Sequence, residues 1–222
     1  MAQGSGQRQF PRYVIQLPLL FETGAPQRKA GVGWTRDLSE GGACLELAER
    51  LSPRTRLQLL LQTPEGTIQV EAEVVWAKEA GAEAQGALQG VRFIQIAPAE
   101  LEALRALIRA KGQVRQAGVR LPLELPVTCR HKGRGGPPVE GVTGNISRGG
   151  MLLRLPEVLP ADTVLEITLR TPRGPLTAWG GRAWVDPPER RTAGELISQG
   201  IQFVAVDWPT TLSLALSLVE EA

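Results

Sequence analysis

Short runs of alternating apolar and polar residues, separated by turn residues, fill most of this 222-residue chain. Residues 14–21 alternate partly and run into a loop carrying Gly24 and Pro26. A short apolar run at 43–47 follows a glycine pair. Residues 57–62 and 67–75 flank Thr63-Pro64-Glu65-Gly66, the composition of a hairpin turn. Residues 90–96 give a further strand. Short strands at this spacing predict a small antiparallel barrel, since closure removes exposed strand edges. The period then changes. Pro98 stands at a first helical position, and Leu101, Leu104, Leu107 and Ile108 form one stripe before Gly112.

The same order of elements recurs 108 residues later. Arg12 falls on Arg120, Leu17-Pro18 on Leu125-Pro126, Thr63-Pro64 on Thr171-Pro172, and Trp76 on Trp184. Asp37-Leu38-Ser39-Glu40-Gly41-Gly42 falls on Asn145-Ile146-Ser147-Arg148-Gly149-Gly150. A two-residue slip then aligns Gly90-Val91-Arg92-Phe93 with Gly200-Ile201-Gln202-Phe203. One offset held across so many landmarks means two copies of one unit. The expectation is two domains, 1–111 and 112–222, each a barrel with a C-terminal helix. The second helix carries Pro209, Leu212, Leu216 and Val219.

Composition narrows the function. Apolar residues make up 42% of the chain, enough for packed cores. No apolar stretch is long enough for a membrane span, and the polar start MAQGSGQRQFPR has no signal-peptide block, so a cytoplasmic location is expected. Two distant cysteines, Cys44 and Cys129, read as small buried thiols. His131 is the single histidine and is assigned to a solvated loop running to Pro138. With no nucleophile, acid–base or metal signature, the chain reads as a non-enzyme without a cofactor. Net charge is only +2, which argues against a large nucleic-acid footprint. Of 25 basic residues, 21 are Arg and 4 are Lys, a bias that suits planar recognition of anions.

Candidate chemistry lies at the start of each copy. Arg8 and Arg12 are spaced RxxxR, and about 25 residues later come Asp37, Ser39, Gly41 and Gly42. Arginine forks grip phosphate or the O6/N7 edge of guanine, and their planes stack on purines. A carboxylate accepts from the N1 and N2 donors of guanine. Serine adds a small donor and acceptor, and glycine lets a ligand approach the backbone. The set suits an anionic guanine nucleotide. Alone, Asp37-x-Ser39 would read as a turn or cap, and Trp76 and Trp184 as core or rim residues at strand ends, with base stacking the sharper alternative.

These residues, with Val74-Val75-Trp76 and Gly90-Val91-Arg92-Phe93, resemble the PilZ family over nearly the whole chain, once per copy. The resemblance implies two six-stranded barrels with C-terminal helices and cyclic di-GMP as ligand. It makes the arginine segment an arm that closes the ligand against the barrel. In the second copy the ligand set would be Arg115, Arg120, Asn145, Ser147, Gly149 and Gly150. That copy departs from the pattern: Gln116 replaces Arg8, Arg115 gives RxxxxR, and Asn145 replaces Asp37. One extra residue shifts an extended arm by about 3.3 Å. The first site therefore reads as complete and the second as weaker or degenerate. Ligand binding would reorder the arm and the connection around 112–120, and so regulate a protein partner in motility, polysaccharide or secretion machinery. A homodimer is compatible with the sequence. The rivals are a ligand-independent scaffold and a transcription regulator.

Overall fold

The computed structural model describes residues 10–24, 28–79, 86–111, 119–131, 136–161, 163–192 and 194–205, with 210, 213, 214 and 216–218 near the end. The chain divides near residue 117 into two compact units. In the first, strands β1 (Pro18–Thr23), β2 (Ala30–Ser39), β3 (Gly42–Leu47), β4 (Arg56–Thr63), β5 (Gly66–Glu79) and β6 (Ala87–Ile96) close into a barrel ordered β1-β2-β3-β6-β5-β4. Helix α1 (Pro98–Lys111) follows, with Leu104, Leu107 and Ile108 buried. Trp34, Leu45, Leu47, Leu59 and Leu61 fill the barrel.

The second unit repeats this plan. A two-residue strand, β7 (Leu121–Pro122), precedes β8 (Pro126–His131), β9 (Val139–Ser147), β10 (Gly150–Leu155), β11 (Val164–Thr171), β12 (Gly174–Val185) and β13 (Ile197–Ala205). The last six close as β8-β9-β10-β13-β12-β11, with β7 added beside β9. The predicted turns hold in both copies: Gly66 and Gly174 open β5 and β12 at φ of 132° and 120°, a region that favours glycine. The described residues of the second helix include buried Leu214 and Leu218, while the predicted Leu216 is half-buried. Pro209, Leu212 and Val219 lie outside the described residues.

Two local expectations, for His131 and Trp76, are corrected. The stretch between the predicted loop at 24–26 and Asp37, unassigned from sequence alone, is the long strand β2, where Gly31 and Gly33 are close-packing positions. The ring of Phe21 lies against Gly31, and Leu47 with the Glu46 carbonyl against Gly33. His131 is not in a solvated loop: it ends β8, opposite Leu165, with Nδ1 buried and unpartnered among the described residues. Trp76 stands three residues inside the end of the long β5, whereas Trp184 is the penultimate residue of β12, at the strand end as expected. Both cysteines are buried and free. No helix among the described residues is long and apolar enough to cross a membrane.

Candidate functional site

A buried threonine fixes the root of each arm. The Thr35 hydroxyl donates to the Ile15 carbonyl at 2.6 Å and accepts from the Leu17 N–H at 2.9 Å. Thr143 repeats both bonds, to the Leu123 carbonyl and from the Leu125 N–H. The chain just after Arg12 and Arg120 is thereby tied to β2 and β9, and each arginine starts from a set position.

Bulges then aim the site residues. The β2–β3 register slips between Thr35 and Asp37, and the β5–β6 register between Val74 and Trp76. A bulge adds one residue to a strand and turns the following side chains. Beyond the slips, Asp37, Cys44, Gly90 and Trp76 stand side by side across β2, β3, β6 and β5. Asn145, Leu152, Gly200 and Trp184 form the same row in the second barrel.

In the first copy this row carries an assembled cluster. The Arg12 guanidinium donates to Asp37 Oδ1 at 2.6 Å, with both side chains about one-third exposed. The Phe10 ring sits on Gly41, where a Cβ would collide with it. The Trp76 indole covers Gly90, and a Cβ on Gly90 would run into its ring nitrogen. A shallow cleft of about 220 Å³ opens among Phe10, Arg12, Gly41, Trp76, Gly90 and Arg92. Arg92 is tethered to Glu73 at 3.3 Å. Below, the Cys44 thiol has its pKa raised by burial and by the neighbouring Asp37 carboxylate. The cleft joins two cationic forks and an indole, with the Asp37 carboxylate beside it through its pair with Arg12, a set that can hold a planar base bearing an anionic group.

Ser39 and Gly42 already have structural duties. The Ser39 hydroxyl donates to the Gly42 carbonyl at 3.0 Å and is buried, closing the β2–β3 hairpin. Gly42 packs on the Val91 carbonyl too closely for any side chain. The Glu40 carboxylate accepts from Arg105 Nε at 2.8 Å, tying α1 to this hairpin. Asp37 and Ser39 thus end a strand rather than forming the turn, which falls at Glu40-Gly41.

The second copy keeps the scaffold without the cluster. Ser147 donates to the Gly150 carbonyl at 3.2 Å, Gly150 packs on the Ile201 carbonyl, and Trp184 covers Gly200. Arg120 is exposed and makes no ion pair among the described residues. Asn145 Oδ1 is buried with no hydrogen-bond partner among the described residues. Among the described residues, nothing covers Gly149 as Phe10 covers Gly41. Arg8, Arg115 and Gln116 lie outside the described residues.

Phe10, Gly90 and Arg92 are cleft residues that sequence reasoning did not assign to the site. Phe10 was within reach, as an aromatic between the two arm arginines. Gly90 needed the cross-strand register. Among the described residues, no three His, Cys, Asp or Glu side chains come together as a metal site.

Comparison with known proteins gives the following. The family model for the PilZ domain matches twice, over residues 6–110 and 113–210. No curated protein matches the sequence. Among solved structures, the inhibitor of motility MotI/DgrA of Bacillus subtilis is similar at 12% identity, covering 93% of this chain and 96% of its own, with a TM-score of 0.39. The PlzA protein of Borreliella burgdorferi, solved with c-di-GMP, is similar at 12% identity, covering 92% and 88%, with a TM-score of 0.39. The PilZ domain of YcgR from Escherichia coli, also with c-di-GMP, is similar at 19% identity, covering 47% and 90%, with a TM-score of 0.40.

Proposed function

The chain belongs to the PilZ family, and from that premise we propose that it is a receptor for cyclic di-GMP, held chiefly by its first copy, residues 1–111. One observation carries the reading: Arg12 stands 2.6 Å from Asp37 at a cleft walled by Trp76 and Arg92. In the bound state Asp37 accepts from guanine N1–H and N2–H. Arg12, joined by Arg8 from the arm, takes a phosphate or the O6/N7 edge. The Trp76 face receives the base by stacking.

The first copy presents the charged acceptor. The second, residues 112–222, offers Asn145, Ser147, Gly149 and Gly150 with Arg120 and Arg115, and binds more weakly. A hydrogen bond to a charged group contributes about 1.5–3 kcal/mol, against about 1 for a neutral pair. That difference alone separates the sites by roughly tenfold. Ligand brings Arg8 to the cleft where Phe10 and Arg12 already rest on the first barrel and, at higher concentration, orders the connection at 112–120. The altered surface is what a protein partner reads.

Specificity tests this directly. Intrinsic tryptophan fluorescence of the purified chain should change on titration with cyclic di-GMP and stay constant with cyclic di-AMP, whose adenines lack the N1–H and N2–H donors. An equal response to both dinucleotides, or to neither, overturns the reading.

A further inference from the structure

A second cleft in the first unit shares no lining residue with the one at Arg12. It encloses about 730 Å³ where the connection from β3 to β4 meets the end of β1 and the start of β2. Lys29, Arg50, Arg54 and Arg56 line it, with Leu51 and Pro53. Lys29 is paired with Glu49 at 2.7 Å. The side chains of Arg50, Arg54 and Arg56 are exposed and meet no carboxylate among the described residues. Arg54 adopts φ of 70°, the one non-glycine positive φ among them. Its N–H donates to the Val74 carbonyl at 2.7 Å, and the Val74 N–H donates to the Thr55 carbonyl at 2.9 Å. A side chain held in this region by its surroundings points to a functional constraint.

The second copy supplies an internal control. Its equivalent loop is held by the same buried glutamine device. Gln89 accepts from the Leu51 N–H and donates to the Glu49 carbonyl. Gln199 does the same with Leu159 and Glu157. At the 108-residue offset, however, Arg50, Arg54 and Arg56 become Val158, Asp162 and Val164, and Lys29 becomes Pro137. The loop therefore does not need the cations in order to form. They are an addition confined to one copy.

We propose that this cleft is the docking site for a carboxylate-rich segment of a partner protein. Three arginine forks around a concavity, without a carboxylate partner among the described residues, match successive carboxylates. No aromatic residue lines the cleft, so it lacks the stacking platform of a single-strand groove. The chain's net charge of +2, and a second loop without these cations, provide no extended basic stripe for a duplex.

The test uses the full chain and a fluorescein-labelled peptide of alternating Glu and Ser, read by anisotropy, with a DNA duplex in parallel. The comparison is with a variant carrying the second copy's residues, Arg50→Val, Arg54→Asp and Arg56→Val. Its urea midpoint, together with that of Arg54→Gly alone, checks folding. The wild type should bind the peptide with micromolar affinity that falls as salt rises. The folded triple variant should lose at least about tenfold, the value of one charged contact, and Arg54→Gly an intermediate amount. Equal peptide binding by wild type and folded variant, no binding to the wild type at all, or tighter binding of the duplex at the same salt would overturn the proposal.

Discussion

Arg12 and Asp37 hold each other at 2.6 Å, so a ligand that uses both must share or open that pair. The pair is partly exposed, and ion pairs of this kind contribute at most about 1 kcal/mol. Each charged contact to the ligand returns about 1.5–3 kcal/mol. The ligand therefore wins, and the unliganded pair serves to keep both groups in position. Asp37→Asn should weaken cyclic di-GMP about tenfold, leave the urea midpoint nearly unchanged, and make the first site resemble the second. Equilibrium dialysis measures the affinity; an unaltered constant would remove Asp37 from the site. Gly90 is a second sharp point. A methyl group there collides with the Trp76 ring. Gly90→Ala should displace the indole, shift its emission, and reduce binding about tenfold while the barrel survives.

Cys129 tests the interior of the second barrel. Burial pushes its thiol pKa from the ordinary 9.0 up to about 12. An acid whose folded pKa is raised stabilises the fold below its unfolded pKa, and that contribution fades as pH rises toward the folded value. Urea stability of the wild type should fall between pH 9 and 12, and part of that fall should vanish in Cys129→Ala. At pH 8 the thiol should react with Ellman's reagent only on unfolding.

At the level of elements, the buried glutamines staple the loop that enters each barrel's β4 or β11. Gln89 is fully buried and makes one bond as acceptor and one as donor, at 3.1 and 2.7 Å. Gln89→Leu leaves a buried N–H and a carbonyl unpaired, at about 1–3 kcal/mol each. A loss of about 2–6 kcal/mol in chemical denaturation is expected, and Gln199→Leu should act equally on the second barrel. A loss below about 0.5 kcal/mol in both would contradict the stapling role.

The strands of β3 to β6 and the start of α1 were readable in the sequence, because alternation, Thr-Pro-x-Gly turns and Pro98 are local signals. Strand β2 was not. Its glycines look like loop residues until Phe21 and Leu47 are seen packed against them. The site divided in the same way. Arg12, Asp37, Ser39 and Gly42 stood out by spacing and duplication. Phe10, Gly90 and the placement of Trp76 within the cleft depended on bulges and cross-strand register, which no local pattern carries.

At the scale of the molecule, duplication gave two barrels and let their surfaces diverge. Both copies keep the threonine anchor, the serine–glycine hairpin, the tryptophan over glycine and the glutamine staple. They differ in what those scaffolds present. The first carries the Arg12–Asp37 pair and the basic cleft, while the second has an unpartnered Asn145 oxygen and valines at the equivalent loop. Such a chain should fill in two steps as ligand rises, and Asn145→Asp should draw the second step toward the first. Small-angle scattering across the same titration should change at the second step; one unchanged profile through saturation would remove the ordering of the 112–120 connection.

The most direct measurement is titration calorimetry of cyclic di-GMP into the wild type, Arg12→Ala and Arg120→Ala. The wild type should show a tight step that Arg12→Ala weakens at least about tenfold and Arg120→Ala leaves intact. Absence of heat from the wild type at concentrations well above micromolar, or a tight step that survives Arg12→Ala, would contradict the account.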